Sequence, residues 1–220
     1  MSNLEQKSSS ESVPFLDLNS IGKIYSGLSG KNSSDFSDDA NSLFVTYKEV
    51  FLSPANNGSG LGRVDITEEE KQNTIAKGDI LFTGSSETPD ECAMSTVVMN
   101  DPEENVYLNS FCFGFRLKNK EEFDLTYLKH YFRSKDFRRK VNKCAFGTTR
   151  YNISKKKFLK IKIPVPPLEI QKKIGQDLDL FTKLIENINI ELKLREDQYL
   201  HYREEILSFN ELITEEDAES

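Results

Sequence analysis

The sequence is poor in the residues that build metal sites and disulfide frameworks. It has three cysteines and two histidines among 220 residues. The cysteines, Cys92, Cys112 and Cys144, show no CxxC spacing, and neither histidine is paired with them. A zinc site needs clustered thiolates or imidazoles, and an odd cysteine count argues against a disulfide framework. We therefore expect neither a zinc site nor structural disulfides.

Long apolar runs are also missing. No stretch approaches the roughly 18 consecutive apolar residues that a membrane-spanning helix requires. The first 14 residues, MSNLEQKSSSESVP, contain no hydrophobic core of a secretory signal. These absences predict a protein without a membrane span, in a reducing cytoplasm.

Sequence motifs of common enzymes are absent as well. There is no GxxxxGK[ST] phosphate loop and no [ND]PP[YF] motif of amino-methyltransferases, since VPPL at 165–168 does not match it. The glycine-rich NNGSGLG at 56–62 does not stand between a clear strand and a long helix, so it is a poor cofactor fingerprint. The sequence gives little support to enzyme chemistry.

Charge is distributed very unevenly along the chain. The formal net charge is −7, but residues 128–162 hold 13 Lys and Arg and a single acid, Asp136. The rest of the chain has 16 basic and 35 acidic residues, a net of −19. Such asymmetry favours an anionic partner for the basic segment. A solvated charged surface is the alternative.

Local patterns predict a mixture of short strands and short helices before residue 164. Asp124 is a candidate N-cap for a helix, a second short helix is predicted to start at Asp136 and run through Cys144, and Ser154 is a candidate N-cap for a short lysine-rich segment. Thr67 and Glu70 form a possible capping box, and 53–62 is predicted to be a loop. Strands are predicted from the β-branched and aromatic residues of 42–52, 78–84, 95–99 and 110–117.

From Leu168 onward an apolar repeat of seven residues begins. Starting at Ile174, positions at alternating spacings of four and three are apolar or aromatic in ten of eleven cases. Sustained over five heptads, this pattern predicts a coiled coil roughly 60 Å long for 40 residues at ~1.5 Å each. The alternative is one amphipathic helix packed on its own domain. The positions are Ile174, Leu178, Phe181, Ile185, Ile188, Leu192, Arg195, Tyr199, Tyr202, Ile206 and Phe209.

Three motifs resemble those of a known family. GTTRYNISKKKFLKIKIPVPPLEIQKKI (147–174) resembles the junction in specificity subunits of type I restriction–modification systems, with its small-residue turn, its I-P-V-P-P-L run and its E-x-Q. KGDILFTGSSE (77–87) and REDQYLHYREEILSF (195–209) resemble further segments of that family. The similarity covers about residues 77–209, whereas the first 76 residues match only loosely.

The resemblance implies an α+β fold, in which one mixed target recognition domain with a small twisted sheet precedes a long coiled-coil helix. The implied boundaries are a flexible N terminus at 1–13, the recognition domain at 14–164, a dimerisation and spacer helix at 165–210 and a flexible acidic tail at 211–220. Subunits of this family usually have two such domains and two such helices. This chain resembles half a subunit, so we expect a homodimer.

The resemblance also implies the partners of the chain. They are double-stranded DNA with a bipartite target, a second half-subunit, and modification and restriction subunits. Methylation and cleavage, with their S-adenosylmethionine, ATP and magnesium, would belong to the partner subunits, and this chain would carry no cofactor. The alternatives are a coiled-coil interaction protein, an orphan DNA-binding protein and a solitary enzyme such as a methyltransferase fragment.

Candidate DNA contacts come from the basic segment and from three loops, at 26–32, 83–91 and 147–152. Lysines provide affinity for phosphates that does not depend on sequence, whereas Arg150 has the geometry for a bidentate contact with guanine. For each loop an ordinary surface turn is the alternative. The candidate residues are Lys31, Thr83, Ser85, Ser86, Arg139, Lys143, Thr148, Thr149, Arg150, Tyr151, Lys155, Lys156 and Lys157. The predicted dimer interface consists of the heptad positions from Ile174 to Ile206.

Overall fold

The computed structural model describes residues 12–208. Residues 1–11 of the predicted flexible N terminus, the predicted tail at 211–220 and the last heptad position, Phe209, lie outside this range. The described residues form a mixture of small sheets and helices that ends in one long helix, which confirms the predicted α+β class.

Short strands make up most of the N-terminal part. Within residues 12–208 they are, in chain order, β1 (Phe15–Asp17), β2 (Gly22–Ser26), β3 (Ser42–Val45), β4 (Ala55–Asn56), β5 (Leu61–Val64), β6 (Ile80–Thr83), β7 (Ser85–Ser86), β8 (Ser95–Val98), β9 (Val106–Leu108), β10 (Cys112–Leu117), β11 (Ala145–Phe146), β12 (Tyr151–Ile153) and β13 (Lys162–Pro164).

The helices of the same range are short until the last one. They are α1 (Leu18–Ile21), α2 (Tyr47–Leu52), α3 (Leu125–Tyr131), α4 (Lys135–Asn142), α5 (Lys155–Phe158) and α6 (Leu168–Leu207). Single 3-10 turns lie at Ser33–Asp35, Pro89–Glu91 and Lys120–Glu122.

A five-stranded sheet in the order β2-β10-β6-β8-β4 forms the centre of the fold. Adjacent strands in this sheet are antiparallel, except for β4 and β8, which are parallel. Every residue of β6 and β8 is buried, so both faces of the sheet are covered. On one face, Phe82 and Phe113 of the sheet pack with one phenylalanine from the turn after α3, one from α4 and one from α5. These are Phe132, Phe137 and Phe158.

A smaller sheet attaches a hairpin to this centre. Strands β11 and β12 form an antiparallel hairpin, and β12 also pairs with β7. In that register Tyr151 lies opposite Ser86 and Asn152 lies opposite Ser85. Residues 147–150, which we call the hairpin turn, therefore lie beside a buried strand that is distant in sequence. The other two sheets are β5-β3-β9 and β1-β13.

The prediction of a strand over 42–52 is wrong for its second half. Strand β3 ends at Val45, and residues 47–52 form helix α2. Thr46 is the cause, because its hydroxyl accepts a hydrogen bond from the backbone nitrogen of Glu49 and caps the helix. The predicted loop at 53–62 likewise contains β4 and the first residues of β5.

The other local predictions are confirmed or need small corrections. Asp124 caps α3 and Ser154 caps α5, as predicted. The second short helix was predicted over 136–144; it begins one residue earlier, at Lys135 after the Ser134 cap, and it ends at Asn142. The carboxylate of Glu70 does accept hydrogen bonds from Thr67, but the segment forms a turn and no helix.

The first turns of α6 are fixed to the rest of the N-terminal part by a buried amide. The Gln171 side chain is fully buried; its oxygen accepts from the Asp124 nitrogen at 3.0 Å, and its nitrogen donates to the Glu122 and Pro166 carbonyls. One turn later a Cβ on Gly175 would lie only 2.9 Å from the Tyr127 nitrogen. The junction therefore requires both an amide and a glycine.

The chain divides into two compact units between Gln176 and Asp177, inside α6. The apolar heptad positions of α6 are exposed in the single chain, from 36% at Ile174 to 73% at Ile206. Within residues 12–208, no helix combines the length and the apolar character needed to cross a membrane. Whether a second helix covers the exposed positions stays a prediction at this point.

Candidate nucleic-acid interface

The basic segment forms an open groove lined by lysines. Five lysines surround an apolar floor of Phe15, Cys144 and Ile161 in a depression of about 530 Å³, and none of the described residues that line it is an acid. We call this surface the lysine groove. Its lysines are Lys140, Lys143, Lys157, Lys160 and Lys162.

Helix α5 positions Lys157, and strand β13 positions Lys162. The Ser154 hydroxyl caps α5, and the fully buried ring of Phe158 anchors the helix to the aromatic core. Because one residue of the helix points inward, Lys155, Lys156 and Lys157 are left on the surface. Lys155 leans back over the Phe113 ring, with 5.8 Å between its ammonium and the ring centroid.

The lysine groove stays positive because the neighbouring groups add little negative charge. Burial raises the pKa of the Cys144 thiol, although nearby Lys157 lowers it in part, so the thiol is protonated at neutral pH. Lys140 is the one groove lysine whose charge is offset, by an ion pair of 2.6 Å with Asp136. The other groove lysines leave a surface suited to phosphate oxygens.

A second depression lies beside the hairpin turn. It has a volume of about 510 Å³ and combines three aromatic rings with hydroxyls, two acids and one arginine. We call it the aromatic cleft. Its lining residues are Tyr47, Phe51, Ser85, Ser86, Glu87, Glu91, Phe111, Thr149 and Arg150.

Arg150 is the one cation among the described residues that line the aromatic cleft, and it is held by two contacts. Its guanidinium carbon lies 4.8 Å from the centroid of the Phe111 ring, and its Nε donates to the Ser85 hydroxyl at 3.3 Å. Ser85 is itself fixed, because the Tyr47 hydroxyl donates to its carbonyl at 2.8 Å. Burial raises the pKa of Tyr47, which keeps this hydroxyl protonated.

The hairpin turn depends on a glycine. Gly147 has a φ of +132°, a conformation that side chains disfavour. A Cβ there would also collide with the Arg150 carbonyl. Gly147 thus lets the chain reverse tightly, so that Arg150 reaches Ser85.

The structure brings several predicted DNA contacts together. Ser85, Ser86, Thr149 and Arg150 share the aromatic cleft, and Thr148 is exposed next to them on the hairpin turn. Lys143 and Lys157 share the lysine groove, with Lys155 and Lys156 exposed on the same short helix as Lys157. Tyr151 is half-buried on β12, the strand that connects the hairpin turn to α5. Arg139 on α4 is 78% exposed and lies 3.6 Å from Asp136.

Two predicted contacts are engaged elsewhere. Thr83 is fully buried, and its hydroxyl accepts from the Met94 nitrogen. The Lys31 side chain is only 6% exposed and pairs with Glu70, whose pKa this hydrogen bond lowers to about 2. Lys31 also donates to the Asp65 carbonyl. Both residues have a structural role in the single chain.

Two arginines of the basic segment point inward. Arg133 donates to the carbonyls at the C-terminal end of helix α2, from Val50 to Ser53, and to that of Ser95. It therefore caps α2, whose last carbonyls have no partner within the helix. Burial lowers the pKa of Arg133 to about 10, so it remains charged at neutral pH. Arg138 similarly binds the carbonyls of Asp90, Cys92 and Ala93.

Sequence reasoning missed the aromatic residues of the cleft. Phe111 was assigned to a strand, although it precedes β10 and its ring is 54% exposed. Tyr47 and Phe51 fell in the segment wrongly predicted as a strand. The pairing of β7 with β12 brings Arg150 to Ser85, and no local sequence pattern predicts that pairing. Within residues 12–208, no group of three or more His, Cys, Asp or Glu is arranged to hold a metal ion.

Comparison with known proteins decides the family. The family model described as "Type I restriction modification DNA specificity domain" matches residues 16–194, most of the chain. The chain belongs to this type I specificity family. The resemblance drawn from the proline junction is thereby confirmed.

Relatives of this type I specificity chain agree with the assignment. A protein of Methanocaldococcus jannaschii, named as a type I restriction enzyme MjaX specificity subunit, is 32% identical over 143 residues. The match covers 60% of this chain and 33% of that protein. A protein of Haemophilus influenzae, named as the specificity subunit S.HindORF215P, is 32% identical over 104 residues, 44% of this chain and 26% of that protein. The specificity chain thus spans a third or less of these relatives.

Solved structures share the fold at low sequence identity. The S subunit of a type I restriction–modification system from M. genitalium has a TM-score of 0.52 and 17% identity, covering 96% of this chain and 49% of that one. The HsdS subunit of Thermoanaerobacter tengcongensis has a TM-score of 0.52 and 20% identity, covering 79% and 38%. The type I specificity chain corresponds to less than half of each of these chains.

Proposed function

We propose that this chain is a sequence-specific DNA-binding specificity subunit that directs methyltransferase and endonuclease subunits to a bipartite target. A target recognition domain over residues 14–164 binds the duplex, and a spacer helix over 165–210 joins it to a second copy. Catalysis and its cofactors, S-adenosylmethionine, ATP and magnesium, reside in the partner subunits. Membership of the type I specificity family supports this proposal.

The division of charge between two neighbouring surfaces carries the proposal. The lysine groove has five lysines and no acid, whereas the aromatic cleft has one arginine and two acids among rings and hydroxyls. Phosphates need cations, while base edges need a mixture of donors and acceptors. Strand β12 separates the hairpin turn from α5 by roughly 10 Å, at ~3.3 Å per residue. In this proposal, one duplex contacts both surfaces.

The heptad positions of α6 support a dimer. Phe181, Ile185 and Leu192 are each more than half exposed, and a long exposed apolar stripe needs a partner. A second copy supplies a complementary stripe, since a twofold interface pairs a surface with itself. In an antiparallel pair, two identical recognition domains lie at opposite ends of the helices and read inverted copies of one half-site.

Mass and salt dependence test the proposal together. Light scattering of the full chain should give twice 25.2 kDa, and one duplex should bind per dimer. The logarithm of the binding constant should fall linearly with the logarithm of salt concentration, as expected when lysines displace counterions. A monomer at micromolar concentration contradicts the dimer. Binding that is absent or insensitive to salt contradicts DNA recognition, and favours a coiled-coil interaction protein.

A further inference from the structure

The charge of the aromatic cleft suits a base edge better than a phosphate. Glu87 and Glu91 line the same depression as Arg150, so the local charge is not positive. A phosphate would be repelled by the two carboxylates, whereas a G·C pair presents both guanine acceptors for the arginine and a cytosine amino group for a carboxylate. The Glu91 carboxylate already accepts from the Ser86 hydroxyl at 3.1 Å, and exposed Glu87 keeps its acceptors available on the surface.

Phe111 determines where the Arg150 guanidinium lies. The guanidinium carbon lies over the ring, 4.8 Å from its centroid, and Nε donates to the Ser85 hydroxyl. These two contacts restrain the guanidinium without using its terminal nitrogens in any hydrogen bond with the described residues. A guanidinium held this way has lost its rotational freedom in advance, so binding costs less entropy.

The ring of Phe111 is not needed to hold its own loop. The Phe111 nitrogen donates to the Asn109 side chain at 2.9 Å, and its carbonyl accepts from the Gly84 nitrogen at 2.7 Å. The backbone is therefore anchored at both ends of the residue, while the ring remains 54% exposed. An exposed phenylalanine with an anchored backbone and an arginine on its face is better explained by ligand binding than by packing.

We propose that Phe111 is a specificity-determining positioning residue, which holds Arg150 for a bidentate contact with the O6 and N7 of a guanine in the target. The inference rests on the proposed function. It adds the base that is recognised, a guanine, and the residue, Phe111, that orients the arginine contacting it. The ring contributes little affinity by itself. It makes the guanidinium geometry selective for two adjacent acceptors on one base edge.

The test uses the full chain and a target selected from random duplexes by the wild-type protein. Dissociation constants are measured on this target, on a random duplex, and on targets in which each guanine in turn is replaced by 7-deazaguanine, which lacks N7. For the wild type, one replacement should weaken binding roughly 3- to 10-fold, as expected for half of a bidentate contact. The random duplex should be bound independently of Phe111.

Variants of Phe111 distinguish a role in positioning Arg150 from a role in packing. Phe111→Ala and Phe111→Leu should weaken binding to the target about 2- to 5-fold and reduce the penalty of 7-deazaguanine, because the cation–π support is lost. Phe111→Tyr keeps the ring and should restore both values. Arg150→Lys keeps the charge without the planar fork, and should lose the guanine preference. The control, Phe146→Ala, removes another phenylalanine that is 57% exposed, on the hairpin that carries Arg150. It should change neither the affinity for the target nor the penalty of 7-deazaguanine.

The outcomes distinguish this inference from the proposed function. A wild type that selects no sequence overturns both. A wild type that selects a target with no sensitive guanine overturns the inference alone. Equal weakening of target and random duplexes in Phe111→Ala, or an equal effect of Phe146→Ala, also overturns it. A changed penalty for 7-deazaguanine that Phe111→Tyr restores supports it.

Discussion

The side-chain oxygen of Gln171 lies 3.0 Å from the backbone nitrogen of Asp124 and accepts its hydrogen bond. Asp124 is the N-cap of α3, and Gln171 belongs to the first turn of α6. The contact therefore links the first turn of the helix that carries the apolar heptad positions to the part of the chain that carries the candidate DNA surfaces. The E-x-Q of the proline junction has a structural explanation in this contact.

Removing this amide should loosen the junction. Gln171→Ala leaves the Asp124 nitrogen and the Glu122 and Pro166 carbonyls without a partner in a buried site. We expect a loss of about 2–3 kcal/mol in the free energy of unfolding, measured by urea denaturation. Gln176→Ala, at an exposed position of the same helix, is the control and should be nearly neutral. Equal stability of the two variants would refute the structural role of Gln171.

Arg133 and Arg139 should behave differently although both lie in the basic segment. Arg133→Ala removes the cap of α2 and should cost about 2 kcal/mol of unfolding free energy, because several partly buried carbonyls lose a charged donor. Arg139→Ala, at an exposed position, should leave thermal stability unchanged. If Arg139 contacts a phosphate, its loss should reduce the salt slope of DNA binding by about 1. An unchanged melting temperature for Arg133→Ala would rule out the capping role.

The exposed lysines of α5 should supply affinity without specificity. Replacement of Lys155, Lys156 and Lys157 by alanine should weaken binding to all duplexes alike, and reduce the log–log salt slope by about 1 for each lost phosphate contact. A triple variant of Lys23, Lys71 and Lys77, which are exposed outside the basic segment, loses the same charge. Fluorescence anisotropy over a range of salt concentrations should detect the difference. An equal loss in both variants would mean that only net charge matters.

A charge in the helix stripe should break the dimer. Leu192→Glu places a carboxylate at a heptad position, where burial against a partner would be costly. We expect a monomer with an intact N-terminal part, measured by sedimentation and circular dichroism. Leu194→Glu changes a similarly exposed leucine outside the heptad series and should remain a dimer. Dimers of Leu192→Glu at micromolar concentration would show that the stripe is assigned wrongly.

Sequence patterns predicted the elements whose signals are local. Helix α6 follows from a period of apolar residues, and α3 and α5 follow from single capping residues. Helix α2 was missed because its β-branched and aromatic residues favour strands. The Thr46 cap that starts the helix is a single hydrogen bond. Propensity is a weak guide where a cap competes with it.

The candidate site was only partly predictable. Arg150 was recognised from its turn, but Ser85 is 65 residues away in sequence, and Phe111 gives no local sign that its ring is exposed. The charge count of 128–162 likewise included Arg133 and Arg138, which bind backbone carbonyls instead of facing solvent. The charge of a residue in the sequence does not reveal whether its side chain faces solvent or the protein interior, because that orientation depends on contacts made across the fold.

The sequence of the target tests the central claim most directly. The full chain, as the only specificity polypeptide, is incubated with random duplexes, and the bound DNA is sequenced. Two identical domains on a twofold axis predict two inverted copies of one half-site, separated by a gap of constant length that is not read. A single continuous motif, two unrelated half-sites or no enrichment would contradict the account.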